Sequence, residues 1–253
     1  MESTAFAALR DAINDEIPAA TAKVVSGPDA GSELLIIFPD RLIGGLGSPA
    51  ADEQAGRTLR TMLRDGGTVL EEINGRRVFL EAHLPPPHLV VIGAVHIAIP
   101  LVTFGQTLGY RTTVIDARAQ FATDERFPHA DRLIEAWPDE ALNQLNLHPG
   151  VAAVCLAHDP KFEDPAMDVL LRSDAGYIGA VGSRTTSAER RERLKATGFT
   201  DEQLDRIHGP VGLNIGGKTP EEIALSIMAE IVAVRRGRDP RNAVAPAKTT
   251  TGS

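Results

Sequence analysis

The chain is short of several residue types, and each shortage excludes a class of protein. Its 253 residues include a single cysteine, Cys155, which excludes an internal disulfide and fits a reducing compartment. Aromatic residues make up only 4% of the chain, so the core has to be built from aliphatic side chains. The formal net charge is −8, which argues against nonspecific binding of nucleic acid through a basic surface.

Membrane and export signals are also missing from the sequence. No apolar run is long enough to span a bilayer, and Met1–Thr4 lacks the basic and apolar regions of a signal peptide. Hydrophobic residues make up 43% of the chain, which is enough for an ordinary buried core. We therefore expect a soluble, cytoplasmic protein with no membrane partner.

The first third of the chain, residues 1–84, has the pattern of a small α+β domain. Asn74–Gly75 supplies the positive φ angles of a type I′ turn, and Pro39–Asp40 forms a second turn between strands. Pro85–Pro87 suits neither a helix nor a strand ladder and is predicted to be a stiff linker at a domain boundary. The predicted elements are helices over 4–16 and 50–64 and strands over 33–38, 41–44, 68–73 and 76–80.

After the linker, strands and helices alternate through residues 88–237, which predicts a Rossmann-like, doubly wound parallel sheet of the α/β class. The tail, 238–253, has no periodicity and is predicted to be disordered. The predicted strands are 88–93, 112–116, 132–136, 151–157 and 177–181, and the predicted helices are 96–108, 139–145, 165–173, 186–197, 201–206 and 220–236.

Three helix starts carry their own signals in the sequence. Asp164 before Pro165 is predicted to cap one helix, and Thr186 with Glu189 has the spacing of a capping box. Thr219 with Glu222 repeats that spacing at the start of the last helix.

The stretch Gly93–Ala98 follows the first strand of this region and leads into its first helix. Gly93 and Ala98 match the outer positions of the dinucleotide fingerprint G-x-G-x-x-G/A, but Val95 occupies the middle position. That glycine normally lets the backbone approach a pyrophosphate, so a β-branched residue there argues against ordinary NAD binding. His96 is predicted at the helix start, where it either faces a ligand or caps the helix in solvent.

Acidic and basic side chains follow the next strand. Asp116 lies 23 residues after Gly93, near the position where an acidic residue binds a ribose diol, and Arg118 follows two residues later. The alternative is that Asp116 simply ends a strand.

Two later strand ends carry polar residues as well. His158 and Asp159 could form an acid/base pair or half of a metal site, or an ordinary turn, and no metal-ligand spacing supports the metal. Gly182, Ser183 and Arg184 offer hydrogen-bond donors at a helix start, which favours an anion site over a flexible loop.

A glycine-rich segment, 209–217, precedes the last helix. It lacks the order of a phosphate-binding P-loop, so we interpret it mainly as a packing loop that could line the same edge of the sheet.

Taken together, these motifs resemble the Rossmann domain of the XdhC/CoxI family over residues 88–237. The order of the motifs carries the resemblance more than any single one of them. The matching stretches are Gly93–Ala98, Val114–Arg118, Glu125–Pro128, Ala157–Asp159, Tyr177–Arg184, Ile207–Gly216 and Thr219–Ala224.

The resemblance implies a maturation chaperone that binds molybdenum cofactor (molybdopterin), protects it and hands it to a molybdenum hydroxylase, often after sulfuration. Xanthine dehydrogenase and carbon monoxide dehydrogenase are such clients. A cysteine desulfurase and a second copy of the chain are further candidate partners. No catalytic residue and no metal ligand is assigned. The implied cofactor-binding residues are Gly93, His96, Asp116, Arg118, His158, Asp159, Gly182, Ser183 and Arg184.

Two positions depart from the family pattern. Val95 stands where relatives usually have glycine, and residues 42–53 lack the cysteine that many relatives carry in a Gly-Gly-Cys-x-Glu motif. Cys155 is predicted to lie in a buried strand and is a poor substitute. Two alternatives therefore remain open, namely an NAD(P)-dependent oxidoreductase and a family member that acts as a scaffold without binding the cofactor.

Overall fold

The computed structural model of the protein describes residues 4–240, which divide into two compact units. One unit comprises the described residues up to Pro86 together with His148–Gly150, and the other comprises Pro87–Leu147 and the residues from Val151 onward. Of the predicted disordered tail, residues 241–253 lie outside the described part. Among residues 4–240, no helix combines the length and the apolar character needed to cross a membrane.

The first unit is an α+β fold around a five-stranded antiparallel sheet with the order β3-β2-β1-β5-β4. Asn74 and Gly75 both have positive φ angles, +50° and +74°, as the turn between β4 and β5 requires. Its elements are α1 (Thr4–Asn14), β1 (Ala19–Ser26), β2 (Glu33–Ile37), β3 (Arg41–Gly45), α2 (Pro49–Asp65), β4 (Thr68–Ile73) and β5 (Arg76–His83).

Sequence reasoning missed β1, which is the central strand of this sheet. The strand begins with four consecutive buried residues, of which three are alanines. A strand that is buried on both faces loses the alternation by which strands are recognised, and alanine has little strand propensity of its own. The pairing of β1 with β2 and β5 therefore decides its structure.

The second unit is a doubly wound α/β fold with a six-stranded parallel sheet, which confirms the predicted fold class. The strand order is β11-β10-β9-β6-β7-β8, so the chain reverses its direction of winding between β6 and β9. Its elements are β6 (His88–Ile92), α3 (Ala98–Thr107), β7 (Arg111–Ile115), β8 (Arg132–Ile134), α4 (Pro138–Leu142), β9 (Val151–Cys155), α5 (Pro160–Arg172), β10 (Tyr177–Ala180), α6 (Arg184–Ala196), α7 (Asp201–Leu204), β11 (Ile207–His208) and α8 (Pro220–Arg235).

Apolar side chains cover both faces of the parallel sheet. One cluster packs α4 and α5 against one face, with Met167 and Leu170 among its buried residues. The other packs α3 and α8 against the opposite face, with Leu101 and Ile227 buried. Such two-sided burial leaves only the strand ends free to carry polar groups.

Two of the three predicted helix caps were wrong, and the third is confirmed. Asp159 caps α5 through the Lys161 amide, so Asp164 lies inside the helix. Ser183 caps α6 by accepting a hydrogen bond from the amide of Thr186, which is itself inside the helix. In both cases an earlier polar residue with extended backbone geometry took the cap position. Thr219 and Glu222 form the expected capping box of α8.

Candidate functional site

The parallel sheet brings the predicted site residues to one edge. Because all six strands run in the same direction, the segments that follow β6, β7, β9, β10 and β11 all leave at the carboxyl edge. The candidate residues lie in these segments: Gly93, His96, Asp116, Arg118, His158, Asp159, Gly182, Ser183 and Arg184.

Gly93 is required by the backbone around it. Its φ angle is +103°, and a Cβ built on it would lie 3.0 Å from the amide nitrogen of Ala157, just beyond β9. Its own amide donates to the carbonyl of Ile115 at 2.8 Å. Any larger residue would push apart β6 and the segment after β9, which are neighbours in the sheet.

Asp116 forms a buried network at the end of β7. Its carboxylate accepts hydrogen bonds from the amide of Ala94 at 2.8 Å and from the amide of Arg118 at 3.0 Å. The Arg118 guanidinium adds a bidentate pair, with Nε and Nη2 each 2.8 Å from a carboxylate oxygen. The Asp116 carboxylate is therefore already saturated by protein donors.

Hydrogen bonding also keeps Asp116 ionised. Burial by itself would raise the pKa of this carboxyl group. The hydrogen bonds from Arg118 and from the Ala94 amide outweigh burial and lower the pKa below its ordinary value of 3.8. The same pairing raises the pKa of Arg118. Arg118 also lies 4.3 Å from the ring centroid of Phe121, so its guanidinium is held in one place.

Val95 packs against the apolar cluster on the α3 and α8 face. The helix begins only at Ala98, after a turn in which the Ala98 amide donates to the Val95 carbonyl at 3.0 Å. The prediction that this helix starts at residue 96 was therefore wrong by two residues. His96 lies in the turn and is exposed, and it makes no hydrogen bond or ion pair within residues 4–240.

His158 and Asp159 follow β9 but do not act as a pair. The Asp159 carboxylate accepts a hydrogen bond from the Lys161 amide at 3.0 Å and so caps α5. His158 is exposed and has no hydrogen bond or ion pair in the described part of the chain. Residues 4–240 contain no group of three or more side chains suited to holding a metal ion.

Gly182, Ser183 and Arg184 form the turn from β10 into α6. Gly182 has a φ angle of +139°, a backbone conformation that favours glycine. Ser183 is the helix cap, so its hydroxyl is engaged within the helix start. Arg184 is exposed, and within residues 4–240 its guanidinium makes no hydrogen bond or ion pair. A guanidinium in this state is available to an anion.

Cys155 is chemically shielded. It is fully buried in β9, and its thiol contacts the carbonyl of Ala157 at 3.4 Å. Burial raises the pKa of this thiol to about 12, with a smaller effect from the nearby Glu163 carboxylate. A thiol in this state is a poor ligand and a poor nucleophile.

Sequence reasoning missed a cluster of ionisable residues behind the glycine-rich loop. Glu230 is only 7% exposed and accepts hydrogen bonds from the Tyr177 hydroxyl at 2.6 Å and the Gly212 amide at 2.7 Å. His208 lies with its Nδ1 3.5 Å from the other carboxylate oxygen of Glu230. The sequence does carry an indication of this cluster, because Glu230 interrupts the apolar face of the last helix. A carboxylate that is buried in this way requires hydrogen-bond or charged partners.

The doubly wound sheet, with the candidate residues at its carboxyl edge, defines a Rossmann-type domain. Residues 89–231 match the family model of the XdhC Rossmann domain. The match covers more than half of the chain, and the chain belongs to this family.

Individual relatives agree with this placement. Over 159 residues, or 63% of the chain, the sequence is 33% identical to a probable xanthine dehydrogenase subunit of Bacillus subtilis. Over 132 residues, or 52% of the chain, it is 25% identical to the molybdenum cofactor insertion chaperone PaoD of Escherichia coli. These matches span only 46% and 41% of the two relatives, so the chain corresponds to less than half of each.

A solved structure shares the fold over most of the chain. The crystal structure of a xanthine dehydrogenase from Bacillus halodurans superposes with a TM-score of 0.63 at 25% sequence identity. The match covers 93% of this chain and 68% of that protein.

Proposed function

We propose that this protein binds molybdenum cofactor and assists its insertion into a molybdenum hydroxylase of the xanthine dehydrogenase type. Membership of the XdhC family and the similarity to an insertion chaperone support the proposal. The observation that carries it in the structure is the Arg184 guanidinium, unpaired within residues 4–240, at the carboxyl edge to which the exposed His96 and His158 also belong.

The donors at this edge fit the chemistry of a pterin that carries a phosphate. Arg184 supplies a planar cation that suits a phosphate, and His96 and His158 supply ring nitrogens without protein partners in the described chain. Arg118 presents a fixed guanidinium, with 41% of its side chain exposed. Gly93 and Gly182 shape the backbone around these groups.

Asp116 takes a different role from the ribose contact that the sequence suggests. Because four protein hydrogen bonds saturate its carboxylate, we assign it the positioning of Arg118 and of the Gly93–Ala98 turn. Asp159 likewise positions α5 through its cap. Arg118, Arg184, His96 and His158 are then the side chains that face the ligand.

In this proposal the cofactor is bound without a protein thiol, since Cys155 is buried and residues 42–53 contain no cysteine. The client hydroxylase, a cysteine desulfurase that would supply sulfur, and a second copy of the chain are the proposed partners. We propose that binding takes place in the cytoplasm, which agrees with the single unpaired cysteine.

The experiment is to purify the protein from a host that makes molybdenum cofactor and to measure retained pterin by mass spectrometry. We expect close to one pterin per chain and at least a tenfold loss of retained pterin in Arg184→Ala. Arg132→Ala is the matched control, because Arg132 is an exposed arginine at the amino end of β8, on the opposite edge. An absence of pterin from the wild-type protein, with a known binder loaded in the same host, would overturn the proposal.

Two further measurements address the alternatives. Titration with NADH, followed by its fluorescence, tests an oxidoreductase, and we expect no saturable binding because the Ala94 amide is already bound by Asp116. Capture of a molybdenum hydroxylase by protein that contains no pterin would instead support a scaffold without cofactor.

A further inference from the structure

A cavity of about 960 Å³ lies at the carboxyl end of β10 and β11, and the candidate site described above touches it only at Arg184. The glycine-rich segment 209–217 forms one wall, and His208 and Glu230 line it as well. All of its lining residues fall in the second unit.

One of the groups that line the cavity is the Glu230 carboxylate, which is saturated by protein donors. Glu230 accepts from Tyr177 and from the Gly212 amide, and the His208 ring lies at hydrogen-bonding range of its other oxygen. The Tyr177 and His208 rings are stacked, with centroids 4.6 Å apart. Burial would raise the pKa of Glu230, but the hydrogen bonds from His208, Tyr177 and Gly212 lower it, so the group stays ionised.

This arrangement orients His208. An ionised carboxylate beside Nδ1 stabilises a proton on that nitrogen and leaves Nε2, on the opposite side of the ring, to face other partners. Within residues 4–240, His208 has no ion pair or hydrogen bond besides this contact with Glu230. The negative charge of Glu230 is itself offset by its three partners.

The cavity lining also includes unused donors. The amides of Asn214, Gly216 and Gly217 donate no hydrogen bond within the described chain, and all three residues line the cavity. Arg184 lies at the start of α6 with its guanidinium unpaired among the described residues. Free backbone amides and an arginine that line one cavity are donors of the kind that bind phosphate in proteins.

Two buried donors next to Gly209 line a separate, smaller cavity of about 230 Å³. Nη1 of Arg190 and the hydroxyl of Ser187 are buried and have no hydrogen-bond partner in the described chain. A Cβ on Gly209 would lie 3.2 Å and 3.1 Å from these atoms, and Gly209 lines the larger cavity as well. A side chain at this position would crowd two unsatisfied donors.

We propose that the larger cavity binds a phosphate monoester or a pyrophosphate that carries one proton, with Arg184 and the free amides of the glycine-rich loop donating to its oxygens and Nε2 of His208 accepting from its hydroxyl. The inference rests on the proposed function, in which the molecule that carries the phosphate is molybdenum cofactor. The cavity would then hold the phosphate end of that cofactor.

The test is calorimetric titration of the full chain with pyrophosphate and with inorganic phosphate at low ionic strength, with sodium sulfate as a matched anion. We expect saturable binding of pyrophosphate, weaker binding of phosphate and still weaker binding of sulfate, because sulfate has no proton to donate to Nε2 of His208. Arg184→Ala and His208→Gln should each weaken pyrophosphate binding at least tenfold, whereas Arg132→Ala should leave it unchanged. Circular dichroism confirms that each variant is folded, and Arg184→Ala is the variant least prone to folding defects because Arg184 is exposed.

Pyrophosphate binding that is absent, matched by sulfate or unaffected by both substitutions would overturn the inference. The retained-pterin measurement separates this failure from failure of the proposed function. If the protein retains pterin but does not bind pyrophosphate, the phosphate site in this cavity is overturned and the proposed function stands. If the protein binds pyrophosphate but never retains pterin, the proposed function is overturned and the cavity is a phosphate site for another ligand.

Discussion

Asp116 and Arg118 form a bidentate ion pair across only two positions of the chain, in which the Asp116 side chain is 3% exposed and the Arg118 side chain is 41% exposed. The pair joins the end of β7 to the turn after β6, because the same carboxylate binds the Ala94 amide. The sequence suggests a ribose contact at Asp116, but in the fold this residue forms a structural ion pair that connects two segments of the chain.

Replacement of Arg118 tests how much this ion pair contributes to stability. Arg118→Ala removes the two guanidinium hydrogen bonds to Asp116 and leaves a buried carboxylate with only amide donors. We expect the free energy of unfolding to fall by about 1–2 kcal/mol, since Arg118 is partly screened by solvent. Urea denaturation measures it, with Arg132→Ala as control. Equal stability of the Arg118 variant and the wild type would contradict a stabilising role for the ion pair.

The pH dependence of stability tests the ionised state of Asp116. Its pKa is lowered in the folded protein, so its stabilising effect is complete above the unfolded value near 3.8 and is lost as the pH falls through the folded pKa. Asp116→Asn should therefore differ most from wild type at neutral pH, and the difference should shrink below about pH 4. Urea midpoints between pH 7 and pH 3 measure this. A difference that grows towards acid pH would mean that the pKa is raised instead.

Substitutions of Val95 test whether this residue stabilises the fold by packing and whether it prevents dinucleotide binding. Because its side chain packs on the α3 and α8 face, Val95→Gly should cost about 1–2 kcal/mol in the free energy of unfolding, from lost apolar contact and added backbone freedom. Val95→Ala keeps the backbone restriction and should cost less. NADH titration of the glycine variant shows whether restoring the fingerprint restores dinucleotide binding, and we expect none while Asp116 holds the Ala94 amide.

The reactivity of Cys155 tests whether a thiol contributes to binding. With a pKa of about 12 and complete burial, the thiol should resist Ellman's reagent at pH 8 in the folded protein and react once per chain in urea. Cys155→Ala should retain as much pterin as the wild type. Rapid labelling of the folded protein, or loss of pterin in this variant, would place the thiol at the site.

Local chemistry was enough to predict several features of this protein. The Asn74–Gly75 turn and the Thr219–Glu222 capping box depend on residues close in sequence, and both are present. The alternation of apolar strands and helices after Pro87 predicted the parallel sheet, because only such a sheet buries those segments on both faces. The order of the motifs along 88–237 then indicated the family, which the match over 89–231 shows.

Tertiary structure decided what sequence spacing leaves open. The strand β1 depends on two partners that are distant in sequence, and Glu230 meets Tyr177 across 53 positions. In the sequence, Asp116 suggests a ligand contact and Val95 argues against one. In the fold, the Asp116 carboxylate binds Arg118 and the Val95 side chain packs against an apolar cluster. Sequence determined which polar groups reach the carboxyl edge, and only packing in three dimensions determined which of them remain free for a ligand.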